Sequence, residues 1–238
     1  MPGPDSLLLL PGLDGTGKRL GEFAQQLGVL GEVRILGYPP ELPLGYEALE
    51  ALVREALPTD RPFVLLGESF SGPIAVRIAA ERPPGLRAVI LCASFVTCPV
   101  PLPRWAAPLA ARVPVKSLPR WLRGLLLWGP GPAARIPAQA QRASAGVAAP
   151  VLRARLAALL SVDASDAATR VRVPMLVICA RGDRLIGARA ARQILRCAPH
   201  ATLVELDGPH LLLQTRPREC AQQVVLFMRR LGSGRQGA

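Results

Sequence analysis

The chain has 238 residues, half of them hydrophobic, and a net charge of +12; that length fits one α/β domain with an insertion better than two full domains. The positive charge is almost all Arg, with Lys only at Lys18 and Lys116, and no aromatics are interleaved with it as stacking on nucleic acid would require, so no nucleic-acid partner is expected. No apolar stretch approaches the ~20 residues of a membrane span, the start MPGPDSLLLLPG lacks the features of a signal peptide, and the five cysteines form no CxxC pair, so a reduced, soluble, cytoplasmic chain is expected.

In chain order, short apolar runs alternate with longer helical patterns, the mark of βαβ units around a parallel sheet. The first run, Ser6–Leu10, leads into Leu10-Pro11-Gly12-Leu13-Asp14-Gly15-Thr16-Gly17. Leu20, Phe23, Ala24, Leu27 and Leu30 then recur at the helix period and predict a helix over Lys18–Leu30. Strand Glu32–Leu36, helix Tyr46–Leu57, strand Phe63–Leu66, helix Phe70–Ala80 and strand Ala88–Cys92 follow. Farther on come strand Met175–Cys179, helix Ala188–Leu195, strand Thr202–Leu206 and helix Ala221–Leu231.

Residues 97–172 break the alternation. They carry no strand signal and read as Pro-punctuated, Ala- and Leu-rich helical pieces. All three tryptophans lie there, Trp105, Trp121 and Trp128. So do ten Arg and one Lys against Asp163 and Asp166, which is nine of the chain's twelve net positive charges. The expected organisation is a core of residues 1–96 and 173–231, a helical cap at 97–172, and a disordered tail at 232–238. The fold class is α/β, with a mostly parallel sheet of about six strands flanked by helices.

The sharpest local signal is Gly67-Glu68-Ser69-Phe70-Ser71-Gly72, which reads strand, tight turn, helix with Ser69 at the turn. Residues two positions either side of Ser69 must be small, because a strained turn brings them together. Such a turn projects a hydroxyl at the carboxyl end of the sheet and at a helix N-terminus. A serine hydroxyl needs a base to take its proton. The chain offers two histidines. His200 precedes a strand and is expected to be an exposed loop residue, whereas His210 follows the last strand and is the candidate base. Asp183, just past the fifth strand, is the candidate acid that orients it. Asp163 and Asp166 lie before that strand, and Asp207 is expected to cap the turn before His210. The glycine-rich loop after the first strand suits an oxyanion hole, with the amides of Leu13 and Phe70 as donors. That loop lacks the spacing of a phosphate-binding GxxxxGK[ST] or GxGxxG segment, so nucleotide binding is not expected. Glu68 is expected to make a structural hydrogen bond or ion pair. The tryptophans are candidates to line an acyl pocket or to pack the cap, and Cys92 and Cys98 lie near the fourth strand's carboxyl end, where burial is the default.

Oxyanion loop, Ser, Asp and His occur in that order, each after a predicted strand. The chain resembles the α/β-hydrolase family, whose triad runs Ser, Asp or Glu, His, and within it an esterase/thioesterase-like branch with a PGLDGTG loop and a GESFSG elbow. The resemblance implies Ser69 as nucleophile, His210 as base, Asp183 as acid, and Leu13 and Phe70 as oxyanion donors. Two departures stand out: Pro11-Gly12 replaces the His-Gly of many relatives, and the first expected strand, Ser6–Leu10, corresponds to the family's third, so the sheet is expected without the family's leading antiparallel hairpin. The expected activity is hydrolysis of a carboxylic ester or thioester without metal or cofactor. Acyl transfer to an alcohol is the alternative on the same fold, and the basic cap suggests an acyl group on an anionic carrier such as coenzyme A or an acidic acyl carrier protein. A non-catalytic binding relative would normally lack a member of the triad, and all three positions are filled.

Overall fold

Ser6–Leu10 forms strand β1, and all five residues are buried, as a strand covered on both faces requires. The computed structural model describes residues 6–99, 124–127 and 146–233. After β1 come α1 (Gly21–Leu27), β2 (Val33–Ile35), α2 (Tyr46–Glu55), β3 (Phe63–Glu68), α3 (Gly72–Ala80) and β4 (Leu86–Cys92). The second half holds α4 (Ala149–Ser161), α5 (Ser165–Arg170), β5 (Met175–Ala180), α6 (Gly187–Cys197), β6 (Thr202–Leu206), α7 (Leu212–Thr215) and α8 (Pro217–Ser233).

The six strands form one sheet in the order β2-β1-β3-β4-β5-β6, and every neighbouring pair is parallel. Alternation along each strand divides the core. Leu8 and Leu10 join the layer under α2, α3, α5 and α6, while Leu7 and Leu9 join the layer under α1, α7 and α8. The chain goes from β1 to β2 on one side and then to β3 on the other, so the strand order reverses between β1 and β3. Loops leaving the carboxyl ends of those two strands flank the crevice where such sheets place ligands.

The elements depart from the sequence expectation mainly at their ends. β3 runs two residues past Leu66, because Gly67 and Glu68 pair with Leu91 and Cys92 although they end the apolar run. The first helix is shorter than Lys18–Leu30: it spans Gly21–Leu27 and finishes in a 3-10 turn at Gly28–Leu30. α8 starts four residues early at Pro217, where a missing N–H costs a helix nothing. It carries through Gly232 to Ser233, two residues into the segment expected to be a disordered tail. The short α7 had no periodic signal.

In the inserted region, Thr97 and Asp163 form an antiparallel bridge, backed by hydrogen bonds from Cys98 N to Val162 O and from Ala164 N to Val96 O. These bonds close the base of the insertion where no strand was expected. α5 then packs against α3 and α6, with Ala167 and Ala168 buried in the same apolar layer. Among the described residues, no helix is long and apolar enough to cross a membrane.

Candidate active site

β3 delivers the first functional side chain. Ser69 follows the strand directly with φ +47, a left-handed conformation that a non-glycine residue holds only under constraint. Several contacts supply it. Ser94 Oγ donates to the Ser69 carbonyl at 2.6 Å, and Tyr46 Oη donates to the Phe70 carbonyl at 3.0 Å while its ring stacks on Phe70 at 4.7 Å. A Cβ at Gly67 would lie 2.7 Å from the Ser71 carbonyl oxygen, so the close approach anticipated across the turn is present and excludes a side chain there. A 3-10 turn, Ser69–Ser71, then feeds α3. The Phe70 amide stands at its start, where N–H groups have no partner within the helix.

β5 and β6 deliver the other two. Two backbone hydrogen bonds stitch their following loops together, Arg181 N to Leu206 O and Gly182 N to Gly208 O, both 3.0 Å. His210 is 3% exposed. Its Nε2 lies 3.0 Å from Ser69 Oγ, and its Nδ1 lies 2.8 Å from Asp183 Oδ2. Asp183 Oδ1 accepts the amides of Leu185 at 2.8 Å and Ile186 at 2.9 Å. Burial alone would raise the Asp183 carboxyl, but the His210 hydrogen bond and the two amides hold it below the usual carboxylate range. An ionised carboxylate only accepts, so it fixes the proton on Nδ1 and leaves Nε2 free to accept from the serine hydroxyl. An arrangement of this kind can move a proton from Ser69 Oγ to the imidazole as the oxygen attacks an electrophile.

Residues 11–14, between β1 and Gly15, are held from the serine turn on both sides of Ser69. Ser71 Oγ donates to the Pro11 carbonyl and also shares a 2.6 Å hydrogen bond with Tyr38 Oη. Glu68 Oε2 accepts the Gly12 amide at 3.1 Å, and Glu68 Oε1 accepts from Gln214 Nε2 at 2.7 Å. Glu68 is therefore a buried structural acceptor. Burial pushes its carboxyl above the usual range, against the lowering effect of the Gln214 hydrogen bond. Among the described residues, the amides of Leu13 and Phe70 donate to no protein acceptor, which leaves them available to a ligand.

The sequence-nominated residues Ser69, His210 and Asp183 are thus brought together, with Phe70 beside the serine and Leu13 in the facing loop. Trp105, Trp121 and Trp128 lie outside the described residues. The insertion does reach the site at residues 124–127, where Leu127 O accepts the Leu211 amide at 3.0 Å. His200 is exposed. Asp207 does not cap a turn: its side chain is 81% exposed and pairs with Arg181 at 2.8 Å. Asp163 accepts from the Ser165 amide and hydroxyl at the head of α5, and Asp166 pairs with Arg170, so neither is at this edge. All five cysteines are free, Cys92 and Cys220 buried. Sequence reasoning missed Tyr38, Ser94, Gln214 and Arg155. Of these only Arg155 left a trace, a charged residue one turn from Val151 in a helix that is apolar apart from Arg153 and Ser161. Among the described residues, no group of three or more His, Cys, Asp or Glu could hold a metal.

A parallel sheet bearing a strained serine, an aspartate and a histidine on the turns after β3, β5 and β6 defines an α/β hydrolase. The model of the Alpha/beta hydrolase family matches residues 7–223, and the chain belongs to that family. Similar solved structures include an enol-lactonase from Burkholderia xenovorans, with a TM-score of 0.81 and 18% identity over 95% of this chain and 92% of that one. An esterase from Exiguobacterium antarcticum follows at 0.79 and 14%, over 96% and 93%, and a bromoperoxidase from Bacillus anthracis at 0.77 and 14%, over 96% and 93%. At these identities the likeness is one of fold. Among curated proteins, the polyketide synthase ThaQ of Burkholderia thailandensis is 28% identical over 244 residues, 93% of this chain. The chain spans 12% of that relative's length.

Proposed function

We propose that this chain hydrolyses a carboxylic ester or thioester through an acyl-enzyme on Ser69. The observation that carries the reading is the unbroken path Ser69 Oγ, His210 Nε2, His210 Nδ1, Asp183 Oδ2, with steps of 3.0 and 2.8 Å. In the first half-reaction Ser69 Oγ bonds to the carbonyl carbon while His210 takes its proton. The amides of Leu13 and Phe70 hold the oxyanion. The carbon–oxygen or carbon–sulfur bond then breaks, and the imidazolium returns the proton to the leaving group. Water repeats the sequence on the acyl-enzyme, with His210 as base, releasing the acid and restoring the Ser69 hydroxyl. The PGLDGTG loop and GESFSG elbow favour the esterase/thioesterase-like branch. The test is a fluorophosphonate probe together with a p-nitrophenyl ester series from acetate to palmitate. Wild type is expected to label and to turn over esters, and Ser69→Ala to do neither. Absence of labelling in folded wild type overturns the serine mechanism.

One observation favours a sharper substrate class, an acyl group on an anionic carrier. Arg184, Arg189, Arg192 and Arg196 are exposed on α6 and the loop before it, which contains Asp183. Positions 189, 192 and 196 share one face of the helix. None of the four pairs with a carboxylate among the described residues, so their charge is available to an incoming anion.

A further inference from the structure

Arg155 occupies a position on α4 where an apolar side chain would be expected. Val151 and Arg155, one turn apart, are the buried residues of APVLRARLAALLS, and Arg155 is 0% exposed. No carboxylate pairs with it among the described residues. Its guanidinium meets backbone carbonyls instead: Nη1 donates to Asp14 O at 2.7 Å and to Leu13 O at 3.3 Å, and Nη2 donates to Pro39 O at 2.9 Å. The Tyr38 ring lies under the cation, 5.6 Å from centroid to Cζ, and Nε is buried without a partner. Desolvating a cation is costly, and a leucine would pack at this place without that cost. The fork is therefore aimed at the carbonyls, three acceptors on two separate segments that one guanidinium joins.

We infer that Arg155 is a positioning residue for the oxyanion loop, through which the inserted helix α4 sets the amide geometry that acyl transfer at Ser69 requires. The inference rests on the serine-hydrolase reading. Peptide units are planar, so turning the carbonyls of Leu13 and Asp14 toward one cation fixes the two peptide planes that follow the Leu13 N–H, and the plane that carries that N–H is closed onto them by the Gly12 carbonyl, which accepts the Gly15 amide at 2.9 Å. Ser71 holds the Pro11 carbonyl and Glu68 holds the Gly12 amide, the two ends of one peptide unit. Four consecutive residues are thus clamped between the serine turn and the insertion. The loop is fitted to this partner: Gly15 has φ +70, and a Cβ there would sit 2.2 Å from Arg155 Nη1. The second glycine of PGLDGTG suits both the left-handed backbone there and the guanidinium pressed against it. An oxyanion hole works because its donors are fixed before the reaction, so a loop freed from Arg155 loses rate and keeps substrate affinity.

The test compares wild type with Arg155→Met and Arg155→Lys. Hydrogen exchange of residues 11–17 reads the clamp, and kcat and KM per probe-titrated active site on p-nitrophenyl butyrate read its consequence. In Arg155→Met, exchange of 11–17 is expected to accelerate while β1 and α1 stay protected. Its kcat is expected to fall about 10- to 100-fold with KM within about twofold, since small displacements of a catalytic geometry cost rates of that order. Arg155→Lys keeps the charge without the fork, cannot span Asp14 and Pro39 together, and is expected to lie between. Unchanged exchange at 11–17, or kcat per active site within about twofold of wild type, overturns the inference, because oxyanion donors are worth far more. So does exchange that rises equally across β1 and α1, the pattern of general destabilisation. If Arg155→Met does not fold, an Arg155→Lys variant equal to wild type in exchange and rate overturns it as well. If wild type itself neither labels nor hydrolyses, the serine-hydrolase reading fails, and the exchange measurement still decides whether Arg155 holds the loop.

Discussion

Asp183 and Glu68 stand at the same edge of the sheet, both shielded from solvent, and their surroundings drive them in opposite directions. Asp183 receives a hydrogen bond from His210 and two amides, so it stays ionised more readily than a free carboxyl. Its stabilising contribution is present above the unfolded value and is lost as pH falls through the lower folded value. Asp183→Asn would keep the shape but present an N–H or a weaker acceptor to His210 Nδ1. With the wrong tautomer favoured, kcat is expected to fall by about 10³–10⁴-fold with the fold intact, as measured by ester turnover and circular dichroism. Glu68 is raised, chiefly by burial. Between its unfolded value and that raised value the native state binds more protons than the unfolded state. Stability from Glu68 is therefore full below the unfolded value and is lost as pH rises through the folded value. Glu68→Gln removes this dependence. Gln214 can accommodate the change by turning its amide, since its Oε1 is buried without a partner and could then accept from the new amide. In urea titrations at pH 4 and pH 7, the variant is expected to gain stability relative to wild type as pH rises. A constant difference between the two proteins would rule out Glu68 as the titrating group.

The β1 loop and the β3 turn act as one unit, joined by contacts that no local pattern specifies. Gly67 has no side chain because the Ser71 carbonyl faces it, and the Ser71 hydroxyl serves the Pro11 carbonyl and Tyr38 Oη. Ser71→Ala keeps the size and strands both partners in a buried place, at a cost of about 1–3 kcal/mol for the unsatisfied groups. Equilibrium urea unfolding measures that loss, and a variant as stable as wild type would mean that water replaces the hydroxyl. The same contrast explains what the sequence could express. Apolar runs bounded by Gly and Pro located all six strands. Strand–turn–helix spacing singled out Ser69, and with only two histidines His210 was the one next to a strand's carboxyl end. Asp183 followed from its place after β5. Each of these signals lies within a few residues of chain. Arg155, Tyr38 and Gln214 depend instead on approaches across 141, 33 and 146 residues, which a single sequence does not encode in any window. The end of β3 was misjudged for a related reason, since Gly67 and Glu68 break a hydrophobic run but not a hydrogen-bond ladder.

Across the whole molecule the charge is unevenly distributed, and that asymmetry bears on the substrate. Nine of the net positive charges fall in residues 97–172, and the exposed stripe Arg189, Arg192 and Arg196 lies on α6, which begins four residues after Asp183. Exposed like charges repel one another and add little to folding. Their value is in encounter: a cationic stripe along the helix that follows Asp183 raises the arrival rate of an anion about 10- to 10³-fold and loses that advantage as salt screens it. Screening shortens from about 30 Å at 0.01 M to about 3 Å at 1 M ionic strength. For an acyl-coenzyme A substrate, kcat/KM is therefore expected to fall about tenfold or more across that range, while kcat/KM for a neutral p-nitrophenyl ester of the same acyl group stays nearly flat. Replacing Arg189, Arg192 and Arg196 with Gln should reproduce the high-salt value at low salt for the anionic substrate only, and should leave kcat untouched, because among the described residues none of the three is bonded to Ser69, His210 or Asp183. Equal salt dependence for both substrates would remove the anionic carrier from consideration. A salt effect that persists in the triple variant would move the docking charge from α6 to the insertion.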